Sequence, residues 1–464
     1  MEKNSIGVYD MLNTKVDLLK GNILKSLIIF AIPLFISNLF QQLYNTVDIM
    51  IVGNYLGDTS LAAIGASTAV YDLLVGFALG IGNGLSIVVA RSYGADDRKL
   101  LKKSVAGSII IGAFITIIII VISILFLMPL LRLLNTPENI IEESYSYISM
   151  ITLFVGIMFA YNLCAGLLRA VGNSFMPLVF LIISSLLNIG LDILFITAFN
   201  MGVRGAAVAT IIAQGISVLL CLLYICFKSK ILIPNKKHFN IEKELYKELI
   251  GQGLSMGLMM AIVSSGTVIL QTAINGLGYL TIAAHTAARK LNSFCMMPIV
   301  AMAQSTSTFV SQNKGANQGD RIRKSVYYSN LIAISWGIII TVVLFFASTL
   351  LVEILSGSRE DIVINNGARY LRINAPFYGV LGILLNLRYS LQGLGQKVLP
   401  LISSVIEFVG KIIFVILVIP KLGYLGVILC EPIIWCFMTA QLIYTFYKNP
   451  YIKKFKVKRE INIA

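Results

Sequence analysis

The sequence predicts an all-α integral membrane protein with twelve transmembrane helices in two pseudo-symmetric six-helix lobes. Three observations carry that expectation. Of the 464 residues, 57% are hydrophobic and only 13% charged, where a soluble domain carries roughly a quarter charged residues. Apolar runs such as 108–131 and 175–199 recur as far as residue 446, and each exceeds the roughly 20 residues that a helix needs to cross a bilayer. The chain also repeats itself at a nearly fixed offset.

Taken in order, the apolar runs place spans at 26–53, 60–90, 105–131, 143–168, 175–198, 205–227, 249–274, 280–310, 326–351, 369–391, 398–419 and 425–447. The polar segment 1–20 lacks the short apolar core and small-residue cleavage site of a signal peptide. Sorting the 37 Lys and Arg residues by loop puts 28 on one side of the membrane and 6 on the other, with Arg289, Lys290 and Lys411 inside spans. By the positive-inside rule both termini are expected in the cytoplasm, and the even span count agrees. The chain is therefore expected to be a multi-pass protein of the plasma membrane, of the bacterial inner-membrane type. A net charge of +15 could suggest a nucleic-acid partner, but the positive charge falls in alternate loops, so the lipid bilayer is the expected partner and nucleic acid is not. The six cysteines all lie in apolar runs, without a Cys-x-x-Cys pair and with only two histidines in the chain. Neither a metal site nor a disulfide framework is expected.

The repeat is read from four matches in register. Asn54-Tyr-Leu-Gly57 before Leu61-Ala-Ala63 matches Asn275-Gly-Leu-Gly278 before Ile282-Ala-Ala284, and Tyr93-Gly-Ala95 matches Lys314-Gly-Ala316, both 221 residues apart. Leu168-Arg-Ala-Val-Gly172 matches Leu391-Gln-Gly-Leu-Gly395 at 223, and Met201-Gly-Val-Arg-Gly205 matches Leu422-Gly-Tyr-Leu-Gly426 at 221. Six spans per repeat is an even number, so both halves cross in the same sense. The expected organisation is an N-lobe over 1–230, a cytoplasmic linker over 231–248, and a C-lobe over 249–464 that ends in a basic cytoplasmic tail.

Ionisable residues within spans are costly and usually functional. In the first span Gln41, Tyr44, Asn45 and Asp48 share one helical face, and Pro33, fifteen residues before Asp48, removes a backbone hydrogen bond and predicts a bend. In the fifth span Ser184, Asn188 and Asp192 form one polar stripe; in the sixth, Thr210 and Gln214 are four apart. Asn162 stands among apolar residues of the fourth span, with Tyr147 near its outer end. Two carboxylates among neutral oxygen donors suit a monovalent cation such as Na⁺, and equally a carboxylate pair that carries a proton. In the C-lobe, Glu407 and Lys411 are four apart in the eleventh span, and Glu431 precedes Pro432 in the twelfth. The repeat offsets put Lys411 at the position of Asn188 and Glu431 at that of Thr210, so this half is expected to hold an ion cluster with its own built-in cation.

Gln41-Gln-Leu-Tyr-Asn-Thr-Val-Asp-Ile-Met-Ile-Val-Gly53, followed by Leu61-Ala-Ala-Ile-Gly65, resembles the first signature of the multidrug and toxic compound extrusion (MATE) family. Leu168-Arg-Ala-Val-Gly-Asn173 and Asn188-Ile-Gly-Leu-Asp192 resemble its fourth-to-fifth-span pattern. The resemblance covers nearly the whole chain and points to the DinF-like and MepA-like branches. It implies a secondary antiporter that exports organic cations and drugs in exchange for Na⁺ or H⁺ by alternating access of its two lobes. It implies a cation-coupling site at Asp48, Asn188, Asp192 and Thr210, a bend at Pro33, and a substrate cavity that includes Tyr44 and Tyr147, with Asn162 a looser match. The seventh and tenth spans lack the acids of the NorM-like branch, so that coupling site is not carried over. No cofactor beyond the coupling ion, no ATP and no enzymatic activity are expected, and the chain is expected to work as a monomer. A flippase for a lipid-linked saccharide, from the same superfamily, is the alternative. Gly253-Leu-Ser-Met-Gly257 fits a hydrolase motif but opens a membrane helix, and Gly76, Gly80 and Gly84, four apart, predict close helix packing.

Overall fold

The computed structural model describes residues 15–134 and 136–454; the outermost stretches of both termini, whose side of the membrane the charge distribution predicts, lie outside the described residues. Every one of the twelve predicted spans is helical. Spans 1 to 3 are Ile23–Leu56, Asp58–Gly94 and Arg98–Leu133. Span 4 is the pair Glu138–Leu153 and Val155–Ala170, bent by 48° at Phe154. Spans 5 and 6 are Phe175–Ala198 and Val203–Lys228. Spans 7 to 9 are Lys243–Asn275, Tyr279–Gly315 and Gly319–Ser356. Span 10 is the pair Asp361–Asn374 and Tyr378–Gly393, and spans 11 and 12 are Val398–Leu422 and Tyr424–Lys448. Among the described residues, nine helices are apolar enough to cross a bilayer by composition alone, and the bent fourth span makes ten. Span 8 falls short because Arg289, Lys290 and a polar run, Gln304-Ser-Thr-Ser-Thr308, interrupt its apolar residues, and span 10 because it is divided into two helices too short to cross alone.

Local chemistry explains the boundaries. Asn22 accepts a hydrogen bond from the Lys25 amide at 3.0 Å, and Asp97 accepts from the Lys99 and Leu100 amides at 3.0 and 2.9 Å, which satisfies the free N–H groups that open spans 1 and 3. Where one span must turn directly into the next, the backbone enters the left-handed region at Gly57, Gly172 and Gly202. The same geometry returns at Gly278, Gly395 and Gly423, and the pair Asp96 and Asn317 shares it too. These four pairs are 221, 223, 221 and 221 residues apart, so the sequence repeat is also a repeat of backbone geometry.

Span 1 runs through Pro33 without a break. The missing amide leaves the Ile29 carbonyl without its helical donor, and the Ser37 hydroxyl donates to the Pro33 carbonyl at 2.8 Å. The expected linker is helical from Lys243 onward, with Glu244 in the first turn, where a negative charge suits the helix dipole.

The chain forms two units. The first takes in residues up to Gly257 together with Ser311–Ala316; the second takes in Leu258–Val310 and the chain from Asn317. In the first, Val75, Ala78, Ile81 and Leu85 of span 2 are buried in one apolar core with Met158, Phe159 and Leu163 of span 4. Gly80 and Gly84 bring span 2 against the start of span 7. A Cβ on Gly84 would stand 2.4 Å from the Gln252 carbonyl oxygen, and one on Gly80 would stand 2.7 Å from that of Met256. Gly253 and Gly257 meet Ile81 and Phe77 in return, so the hydrolase-like motif is a packing seam. Arg91 pairs with Glu248 and Lys103 with Glu242 in the same unit. The second unit has its own core, with Tyr370, Tyr378, Leu384, Ile428 and Leu442 fully buried. Phe114, Phe126 and Leu125 on span 3 and Phe345 and Phe346 on span 9 are exposed. Such apolar surfaces suit lipid, not water.

Candidate functional site

The first unit encloses a cavity of about 320 Å³. Span 1 lines it with Gln41, Tyr44, Asn45 and Asp48, the face expected from helical spacing. Tyr147 from span 4, expected in the cavity, and Thr210 and Gln214 from span 6 complete the wall. Two lining residues, Tyr71 and Asp72 of span 2, were not singled out from the sequence. Their signal was available: Asp72 is the lone acid inside the apolar run 60–90. Asn162 does not line the cavity; its amide donates to the Met158 carbonyl of its own helix at 2.9 Å.

Behind the cavity wall stand Asn188 and Asp192, both fully buried. Span 5 brings Asp192 within hydrogen-bonding reach of Asp48. Asn188 joins Asp192 to span 6: its amide nitrogen donates to Asp192 Oδ2 at 2.8 Å, and its oxygen accepts from the Thr210 amide at 3.1 Å, the orientation that satisfies both groups. The Thr210 hydroxyl meets the Tyr44 hydroxyl at 3.1 Å. The four expected coupling residues therefore form one connected cluster. Oδ1 of Asp48 and Oδ1 of Asp192 are buried without a hydrogen-bond partner. Buried polar atoms are nearly always satisfied, so these two oxygens have room to accept from a further group, be it a proton, a cation or a water.

The second unit holds the other expected cluster. Lys411, 2% exposed, donates to Glu407 at 3.0 Å, as the four-residue spacing predicts. Glu407 also has a second cation, Arg388, at 3.6 Å. Glu431 takes a different counter-ion from the one expected: Arg289 donates to it at 2.6 Å and Tyr370 at 3.1 Å. Arg289 lies 142 residues away in the chain, beyond the reach of local spacing.

Twelve helical spans and a polar, acid-lined cavity inside one six-span repeat define a polytopic membrane transporter. A family model described as MatE matches residues 33–194 and 256–418, once in each repeat; the chain belongs to this family, multidrug and toxic compound extrusion. It is 27% identical to the probable multidrug resistance protein YoeA of Bacillus subtilis, over 94% of this chain and 96% of that protein. It is 23% identical to the multidrug export protein MepA of Staphylococcus saprophyticus, over 91% and 92%. Among solved structures, MATE in the bent conformation superposes with a TM-score of 0.86 at 23% identity, covering 95% of this chain and 98% of that one.

Proposed function

We propose that this transporter exports organic cations, drugs among them, in exchange for Na⁺ or H⁺, by presenting its cavity alternately to the two faces of the membrane. The observation that carries the reading is the Asp48–Asp192 pair, buried at the cavity wall with one unsatisfied oxygen on each acid. Two carboxylates in contact cannot both stay ionised without a cation between them. A proton shared by the pair meets that need directly. Na⁺ would use the two free oxygens together with Asn188 and Thr210, a set of neutral and charged oxygen donors suited to a hard ion. Cation export and coupling are linked because the acid that holds the ion also lines the cavity. The lining contains two acids and no Lys or Arg, which suits a cationic cargo and disfavours a lipid-linked pyrophosphate. The charge bias of the loops supports cytoplasmic termini. Efflux of a fluorescent organic cation from proteoliposomes, under separately imposed Na⁺ and pH gradients, tests the reading. Efflux driven by one gradient and lost in Asp48→Asn and Asp192→Asn is expected. Efflux independent of both gradients overturns it.

A further inference from the structure

Asp72 is the second acid of the cavity, and nothing in the coupling cluster uses it. It forms no ion pair or side-chain hydrogen bond among the described residues, and its side chain is exposed. Fourteen residues separate it from the start of span 2 at Asp58, a rise of roughly 21 Å, while Asp48 is eight residues from the end of span 1 at Leu56, roughly 12 Å. Spans 1 and 2 meet at Gly57, so Asp72 lies about 9 Å deeper than Asp48 by the same rise. A free carboxylate at that depth is costly to maintain without a function. An acid in a cavity does not by itself make a site. The second observation is that Asp48, only 9% exposed, keeps Oδ1 without a partner in the wall of the same cavity.

We propose that Asp72 is the specificity-determining residue that holds the positive charge of the organic substrate, leaving Asp48 and Asp192 to the coupling ion. The inference rests on the proposed export of organic cations and names the group that recognises them. Tyr44, Tyr71 and Tyr147 line the same space and offer ring faces that attract a cation. The cavity, about 320 Å³, is at the lower end of ligand-sized pockets. The substrate class is therefore a compact aromatic or alkyl ammonium ion with one charge centre at Asp72.

The test is equilibrium binding of a fluorescent monocation, ethidium, to purified full-length protein, beside transport of the same probe in proteoliposomes. Asp72→Asn is expected to weaken ethidium binding roughly tenfold, between the effects of an exposed and a buried ion pair. It should raise KM by a similar factor with kcat changed less than threefold, and Asp72→Glu should recover most of the affinity. The ion that drives efflux and the shape of its concentration dependence should match wild type. Equal ethidium affinity in wild type and Asp72→Asn overturns the assignment while leaving cation export standing. Loss of binding that Asp72→Glu does not restore also overturns it, because the position would then be structural. Wild-type protein that binds no organic cation overturns both readings.

Discussion

Glu407 sits between two cations, and neutralising it should cost more than removing either one. Lys411 lies 3.0 Å away and Arg388 3.6 Å away. All three side chains are largely buried, at 13%, 3% and 7% exposure. At an effective dielectric of about 20, each contact is worth roughly 5 kcal/mol of Coulomb attraction, most of it offset by desolvation. Glu407→Gln keeps the shape but leaves two buried cations facing each other, so a net loss of about 3–5 kcal/mol is expected. Lys411→Met leaves the Glu407–Arg388 pair intact and should cost less than half of that. The double variant, Glu407→Gln with Lys411→Met, should be more stable than Glu407→Gln alone, because only Arg388 is then uncompensated, and the Ser403 hydroxyl already accepts from it at 2.9 Å. Both tryptophans, Trp336 and Trp435, belong to this unit, so intrinsic fluorescence in a thermal ramp reports its unfolding selectively. For a unit of about 200 residues, the Glu407→Gln loss corresponds to a Tm lower by roughly 10 °C. If Lys411→Met melts lower than Glu407→Gln, or if the double variant is the least stable of the three, Glu407 is not the hub of the cluster.

Asp48→Asn and Asp192→Asn should each abolish gradient-driven efflux while the protein still inserts and keeps its wild-type melting profile; coupled transport by either variant at the wild-type rate refutes the coupling assignment. Pro33→Ala restores an amide donor for the Ile29 carbonyl and should slow transport several-fold without changing the ion dependence; unaltered rates in both gradient directions would mean that the proline is merely tolerated. Gly84→Ala drives a Cβ into the Gln252 carbonyl, 2.4 Å away, and should cost about 1–3 kcal/mol. Gly76→Ala on the same helix meets nothing within 4 Å and should melt within a degree or so of wild type or slightly above it, since alanine favours helix. Equal melting of the two glycine variants would remove the packing seam.

What the sequence made legible follows from the range over which each signal acts. A bilayer demands long apolar helices, so all twelve spans could be read from composition, including span 8 with its polar run and span 10 with its break. The face of span 1 that lines the cavity and the Asn188–Asp192 stripe were legible because helical spacing is a local rule. Asp72 was passed over although Thr68, four residues before it, lines the same cavity; a hydroxyl and a single acid make a weaker stripe than the amides and acids of spans 1 and 5. The partner of Glu431 was hidden for a different reason. Lys411 was paired with it through the repeat, but tertiary packing brings Arg289 from span 8 instead, 142 residues distant. Asn162 looked functional as an isolated amide, yet its own helix satisfies it. The three aligned glycines also divide, since Gly80 and Gly84 touch span 7 and Gly76 touches nothing.

The recurrence of left-handed corners at Gly57, Gly172 and Gly202 and again at Gly278, Gly395 and Gly423 has a meaning for how such a chain can diversify. A corner of this kind admits few residue types, so a copied segment that keeps its corners keeps its course through the bilayer. The interior is under no such restriction. One copy carries a pair of acids with free oxygens, Asp48 and Asp192; the other, at corresponding depth in its helices, carries Lys411 and Glu431 with their own counter-charges. A half whose acids keep free oxygens and a half whose acids are matched by Lys and Arg can thus share one set of corners. A designer could use the same freedom, rewriting the charge inside one copy while the turns that route the chain stay fixed.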